Sequence, residues 1–251
     1  MTNRAEMTRR DILKSGAAAS TVTLAPGVTL MAFGGTPAEA SSRADAGKRW
    51  GLLIDASKCA ADCSDCVTAC KVENGWGQDM EHGHIDPEQA PEWIRKVTLR
   101  DKETGREVSA PVMCQHCEEP PCVDVCPTGA SMKRLDGIVQ VDKHTCIGCR
   151  YCMMACPFKA RSFVHEAVTD QSVNAPRGKG TVESCNLCAP RIDSGRIPAC
   201  VEACEKAGHS AILFGDLKDP DSPISKALRD YDTVALRSDL ELNAGVRYTN
   251  L

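Results

Sequence analysis

Aromatic side chains are scarce in this 251-residue chain, with three Trp, three Tyr and four Phe making up 4% of the total. That excludes a core built around large rings, so something other than ring burial must help to hold the fold. Basic runs are lacking, which argues against nucleic acid as a partner, and the formal net charge of -4 is mild. Past the N-terminal region no apolar stretch is long enough to span a bilayer. Also missing are a dinucleotide glycine fingerprint, a phosphate loop and any C-x-x-C followed by His. Neither nucleotide chemistry nor covalent attachment of c-type haem is therefore expected.

What the chain has instead is sixteen cysteines in four groups of four. These are Cys59, Cys63, Cys66 and Cys70; Cys114, Cys117, Cys122 and Cys126; Cys146, Cys149, Cys152 and Cys156; and Cys185, Cys188, Cys200 and Cys204. The third group reads C-I-G-C-R-Y-C-M-M-A-C-P and ends at Pro157. Three cysteines spaced by two residues, a fourth after three more and a proline behind it form the bacterial ferredoxin pattern for a cubane iron-sulfur cluster. One tight loop offers three thiolates to three corners of one cube, while the fourth, carried off on a helix, serves the neighbouring cluster. Clusters are thus expected in pairs, and metal-thiolate bonds supply some of the cohesion that the missing rings do not.

Two other readings compete. Cysteines two residues apart rarely bridge each other without strain, and four groups of four would all need distant disulfide partners of fitting geometry. Zinc needs only two facing C-x-x-C pairs and gives no reason for a third cysteine at the same spacing or for the proline. A disulfide or zinc scaffold used for assembly alone is the rival that iron and sulfide analysis would separate. A self-contained reductase with one open iron site is a third reading, and it requires one cysteine to be a non-ligand.

By the exchange rule, Cys114, Cys117 and Cys122 bind one [4Fe-4S] cluster with Cys156, and Cys146, Cys149 and Cys152 bind its neighbour with Cys126. The outer groups pair likewise: Cys59, Cys63 and Cys66 with Cys204, and Cys185, Cys188 and Cys200 with Cys70. Four clusters follow, with all sixteen cysteines as iron ligands. Asp55-Ala-Ser-Lys-Cys59 and Asp142-Lys-His-Thr-Cys146 each follow a short strand, so the first and third groups look like copies, and the second and fourth form the other half of an internal repeat. The first group has three residues rather than two between Cys59 and Cys63, which reads as a bulged loop or as an altered, three-iron cluster.

The expected fold is α+β, with two ferredoxin-like dicluster domains. Residues 114–165 make the inner one, residues 41–113 plus 166–215 the outer one with an insertion, and 216–251 a C-terminal helix and extended tail. Hairpins are expected at Trp93–Leu99 with Arg106–Pro111, and at Ser131–Arg134 with Ile138–Val141. Ser222-Pro223 reads as a helix start, and the last twenty residues show no chemistry of their own. Residues 1–40 read as a cleaved twin-arginine signal, with Thr8-Arg9-Arg10-Asp11-Ile12-Leu13-Lys14, a mildly apolar stretch and Ala38-Glu39-Ala40. This predicts a periplasmic protein exported already folded, with its metal inside.

The motifs C-Q-H-C-E-E-P-P-C-V-D-V-C-P-T-G-A at 114–130, C-I-G-C-R-Y-C-M-M-A-C-P-F-K-A at 146–160 and C-N-L-C-A-P-R-I-D-S-G-R-I-P-A-C-V-E-A-C at 185–204 resemble a known family. It is that of the four-cluster ferredoxin subunits of membrane oxidoreductases, such as those beside dimethyl sulfoxide, polysulfide and nitrite reductases. The twin-arginine signal, the C-x-x-x-C-x-x-C opening and F-K-A-R-S-F-V-H-E at 158–166 are most similar to the periplasmic branch that serves sulfite-reductase-associated Dsr membrane complexes. The resemblance implies a multi-span, quinone-interacting membrane subunit and a periplasmic multihaem cytochrome c as partners, with membrane association through partners only. The function it implies is a relay of single electrons with no catalytic site of its own.

Among the remaining candidates, His116 between two cysteines reads as a hydrogen-bonding neighbour of a cluster rather than a ligand. His82 and His84 read as solvent-exposed. Arg150, Lys159 and Arg161 crowd the third group, where positive charge would favour a reduced cluster and raise its potential.

Overall fold

The computed structural model describes residues 20–25, 28–32, 44–75, 91–165 and 178–251. Met1–Ser41 and Ser42–Leu251 form two separate units. In the first, Ser20–Ala25 (β1) and Val28–Ala32 (β2) pair antiparallel. The twin-arginine pattern, the Ala38-Glu39-Ala40 site, His82 and His84 lie outside the described residues.

The second unit is built on Trp50–Asp55 (β3), whose Leu52, Leu53 and Ile54 are all buried. An unbroken apolar run rather than an alternating one is what a strand covered on both faces requires. Ile212–Asp216 (β10) pairs with it antiparallel on one side and Val246–Thr249 (β11) parallel on the other. Gly51 is needed there, because a Cβ would press on the Gly245 carbonyl and on Leu217. Complete burial of Leu52, Ile54 and Val246 stabilises the sheet by about 1.5–3 kcal/mol for each side chain.

Three two-stranded ribbons surround this sheet. Ile94–Arg100 (β4) and Glu107–Met113 (β5) form the first expected hairpin, its turn held by Asp101 Oδ1 accepting from the Glu103 amide at 2.8 Å. Ser131–Lys133 (β6) and Val139–Val141 (β7) form the second. Ser162–Phe163 (β8) pairs with Val182–Glu183 (β9).

Six helices complete the described unit: Asp65–Asn74 (α1), Pro121–Asp124 (α2), Tyr151–Ala155 (α3), Ala189–Asp193 (α4), Ala199–Lys206 (α5) and Pro223–Asp230 (α6). Helix α1 stops at Gly75, whose left-handed φ of 65° lets its amide reach the Lys71 and Val72 carbonyls. Helix α6 begins as its sequence predicts, with Ser222 Oγ accepting from the Ser225 amide at 3.2 Å and Pro223 in the first turn. Short helices and small sheets give the α+β class.

The C-terminal tail has more structure than its sequence suggests. Strand β11 brings the fully buried Tyr248 into the core, where its hydroxyl donates to the Pro111 carbonyl at 3.2 Å and accepts from Gln115 Nε2 at 3.3 Å. Burial pushes the Tyr248 hydroxyl up to about 12, so it stays protonated and can donate. The Gly245 amide donates to the Gln115 carbonyl at 2.8 Å, which ties the tail to the second cysteine group. A single four-residue strand with no motif gives little periodicity to read, and a partner two hundred residues upstream in the chain supplies its stability.

Candidate metal centres

The cysteines reach their places by one repeated device. Cys66 and Cys70 on α1, and Cys200 and Cys204 on α5, are four residues apart, so each pair lies on one helical face. The two helices pack on each other. Cys122 on α2 with Cys126 just beyond it, and Cys152 on α3 with Cys156 at its C-cap, repeat the arrangement across the contact between α2 and α3. Six of the remaining cysteines come from the loops that lead into α1, α2 and α3, while Cys185 and Cys188 lead into α4, of which Cys188 is the N-cap.

Those loops are shaped by local bonds. Asp55 Oδ1 accepts from the Ser57 amide at 3.1 Å ahead of Cys59, and Asp142 Oδ1 accepts from the His144 amide at 2.9 Å ahead of Cys146. The two aspartates that open the first and third groups thus make the same short turn. The extra residue of the first group is taken up in a closed turn, with the Cys63 amide donating to the Ala60 carbonyl at 3.3 Å. In C-I-G-C, Gly148 has φ of 71°, and a Cβ would collide with the Gly180 carbonyl. Only glycine fits there.

Two cages are closed by four thiols each. Cys59, Cys63, Cys66 and Cys204 line one small cavity with Ala60, Pro111, His209, Ala211 and Ile212. Cys114, Cys117, Cys122 and Cys156 line a second, with Pro120, Pro121, Phe158, Ala160 and Arg161 among its walls. Around a third centre, Cys185 has Cys70, Cys200 and Cys188 as thiol neighbours. Of the fourth set, Cys146 and Cys152 stand together. Cys126 is held instead by amides, with the Ser131 N–H donating to its Sγ at 3.3 Å, and Cys149 is the one exposed thiol of the sixteen.

The electrostatics suit a cation. Burial pushes Cys66 up to about 11, with Cys59, Cys204 and Cys63 adding to the rise. Burial, with a smaller contribution from neighbouring Cys122 and Cys156, takes Cys114 and Cys117 up to about 12, although Arg161 acts against the rise at Cys114. For Cys185 and Cys200 burial raises the thiols well above their usual range, and crowding by other thiols adds to it. Such groups lose their protons only to a positive ligand that replaces them. Cys126 goes the other way: burial opposes it, but the amides and hydroxyl of Ser131 and Thr128 lower it.

No two of the sixteen cysteines are bridged to each other in this structure. Among the described residues no three His, Cys, Asp or Glu side chains converge on a point as a single ion requires. Thiols spread around a small apolar cavity are instead the donor set of an iron-sulfur cube, and the residues fit that group.

Amide donors surround the cages. The Val182 N–H lies 3.4 Å from Cys146 Sγ, Leu187 N–H 3.4 Å from Cys185 Sγ, and Ala211 N–H 3.2 Å from Cys204 Sγ. His116 is buried and accepts from the Val139 amide through Nδ1 at 3.0 Å. Burial first and then the charge of Arg161 hold its pKa at about 3, so the ring is neutral and its proton sits on Nε2. That nitrogen is buried without a partner among the described residues, as hydrogen bonding to a cluster rather than ligation would leave it.

Two neighbours are sharper in the structure than in the sequence. Asn74 is buried one turn after Cys70, and its Nδ2 donates to the Cys70 carbonyl at 3.0 Å and to Cys70 Sγ at 3.6 Å. It also lowers the buried Cys188 thiol against the effect of burial. The four-residue step from Cys70 was the available signal. Arg150, Lys159 and Arg161, which look equivalent in sequence, separate: the first two are exposed, with Arg150 stacked 4.4 Å from the Phe163 ring centre, while Arg161 is buried against the thiols.

The family described as a 4Fe-4S dicluster domain matches residues 107–216, which include twelve of the sixteen cysteines. Across 97% of its length and 97% of the relative's, the chain is 40% identical to the Hdr-like menaquinol oxidoreductase iron-sulfur subunit 1 of Archaeoglobus fulgidus. It is 38% identical to a putative dimethyl sulfoxide reductase iron-sulfur subunit of Halobacterium salinarum, over 80% of this chain and 79% of that one. Identity to a tetrathionate reductase subunit of Salmonella typhimurium is 35%, over 73% and 64% of the two chains.

Proposed function

Because the chain belongs to the family of iron-sulfur electron-transfer subunits of oxidoreductase complexes, we propose that it is an exported relay carrying four [4Fe-4S] clusters in line, one in each four-cysteine set. When bound, each cube supplies a site that accepts and returns one electron. The protein fixes the spacing of these sites, excludes water by burying the thiols, and tunes them through N–H donors to sulfur.

The observation that carries this reading is the order in which thiols of different sets meet. Cys66 of the first set adjoins Cys200 of the second, which also holds Cys70, Cys185 and Cys188. Cys185 adjoins Cys114 of the third set, formed with Cys117, Cys122 and Cys156. Cys122 in turn adjoins Cys152 of the fourth, assigned with Cys126, Cys146 and Cys149. Among the described residues each set lies within electrostatic reach of its successor in this series, an order that supports a wire. At its far end Cys149 is exposed, beside the exposed apolar side chains of Ile147, Tyr151 and Met154, and this edge exchanges electrons with a partner subunit.

The partners in this reading are a quinone-interacting, multi-span membrane subunit and a periplasmic multihaem cytochrome c or similar redox subunit, in a Dsr-type sulfur-metabolism complex. A relative named for menaquinol and matched over nearly the whole chain supports the quinone side. The twin-arginine pattern supports export of the folded, metal-loaded protein to the periplasm, where it stays peripheral to the membrane. A second reading, service to a molybdopterin-type reductase, is favoured by the relatives named for dimethyl sulfoxide and tetrathionate. Iron and sulfide analysis of anaerobically purified protein tests the core claim, which predicts about sixteen irons per chain; folded, iron-free protein would refute it. Co-purification with a cytochrome or with a large reductase subunit separates the two complexes.

A further inference from the structure

Arg161 lies where the third and fourth cysteine sets approach each other, near Cys122 and Cys152. Its Nη2 donates to Cys122 Sγ at 3.0 Å, and its charge lowers the Cys152 thiol against the effect of burial. The side chain is 6% exposed, and its Nη1 is buried with no hydrogen-bond partner among the described residues. No described carboxylate forms an ion pair with it, whereas the half-buried Arg134 and the buried Arg191 are each paired to two. The nearby ring of His116 is neutral, so it neither adds to nor cancels the charge. Burial should weaken a guanidinium, yet Cys122, Cys114 and Cys152 more than compensate, so thiolates of two sets share one cation.

The position is built to hold that cation. Ala160 before it is buried, and Arg95 on β4 donates to the Phe158 and Lys159 carbonyls at 3.2 and 3.0 Å, fixing the approach of the chain. A guanidinium with five donors in a rigid fork can donate to one sulfur while the rest of its delocalised charge faces a second.

We propose that Arg161 is a shared electrostatic bridge that raises the reduction potentials of the third and fourth clusters together and leaves the first and second unaffected. Each cluster gains one negative charge on reduction, and a buried cation beside both lowers the energy of that state. The wire then has a built-in step at the contact between Cys185 and Cys114, downhill for electrons moving from the outer pair of clusters to the inner pair. This rests on the four-cluster reading above.

The test is a potentiometric titration followed by electron paramagnetic resonance, run on the full chain with Arg161→Gln and Arg161→Lys beside the parent. Cluster count in the parent checks the four-cluster reading separately. With iron content retained, Arg161→Gln is expected to lower two of the four midpoints, while Arg161→Lys keeps them nearer the parent values. Four unchanged midpoints, or a shift confined to one cluster or spread over all four, would overturn the bridge. Loss of the third and fourth clusters in both variants would also overturn it, by making Arg161 a structural residue.

Discussion

The outer and inner pairs of cysteine sets are built on the same helix device but differ in what else they contain. In the outer pair, α1 with ten residues and α5 with eight pack against each other, and all four helical thiols are buried. The buried polar side chains there are the neutral amide Asn74, which donates to Cys70, and Arg191, whose charge is paired to Glu73 and Glu202. Lys96, the cation that acts on Cys59, donates to the Ala60 and Cys63 carbonyls rather than to a sulfur. In the inner pair the helices are four and five residues long, the buried polar group is the cation Arg161, and one thiol is open to solvent. Long helices and a neutral donor suit a buried stretch of wire, whereas short helices, a buried charge and an exposed edge suit the end that meets a partner.

Substituting ligands should expose this difference most strongly. Cys70→Ser removes a buried thiol from the centre that joins both outer sets, and should cost at least one whole cluster, about four irons per chain, with loss of cooperative folding. Cys149→Ser at the exposed edge should leave the fold and the other three clusters in place. Iron analysis and thermal unfolding check both, and equal losses would remove the distinction.

The tail supplies the next largest effect. Tyr248→Ala should destabilise the protein by about 3–5 kcal/mol, because it empties a fully buried ring site between the main sheet and the second cysteine group. Tyr248→Phe, which keeps the ring and loses the hydroxyl bonds, should cost roughly 1 kcal/mol. Urea unfolding of the two variants measures the ratio.

Smaller effects separate the polar neighbours. Asn74→Leu should lower the midpoint of the second cluster alone, and by less than Arg161→Gln lowers its two, since a lost neutral donor counts for less than a lost charge. Arg150→Ala should move no midpoint measurably, because its guanidinium is exposed and stacked on Phe163 and solvent screens it. The sequence alone leaves Arg150, inside the third motif, open between a solvated surface charge and one that raises a potential.

That contrast shows what was legible before the structure. Cysteine spacing is a local property, so the four groups, the hairpins at β4–β5 and β6–β7 and the cap at Ser222 could all be read along the chain. Packing is not local. Arg150, Lys159 and Arg161 are alike in type and close in sequence, and only the fold decides which of them is buried. Tyr248 carries no motif, and its importance comes from pairing with a strand at the other end of the unit. Asn74 lay within reach of a careful reading, being one turn from Cys70 on the same helix.

The most direct test of the wire is a reductive titration of the anaerobically purified full chain, followed by electron paramagnetic resonance. The series of four sets predicts about four reducible cubane spins per chain, with magnetic interaction between successive members. Two clusters or fewer in iron-replete protein, or a folded chain with no cluster signal at all, would contradict it.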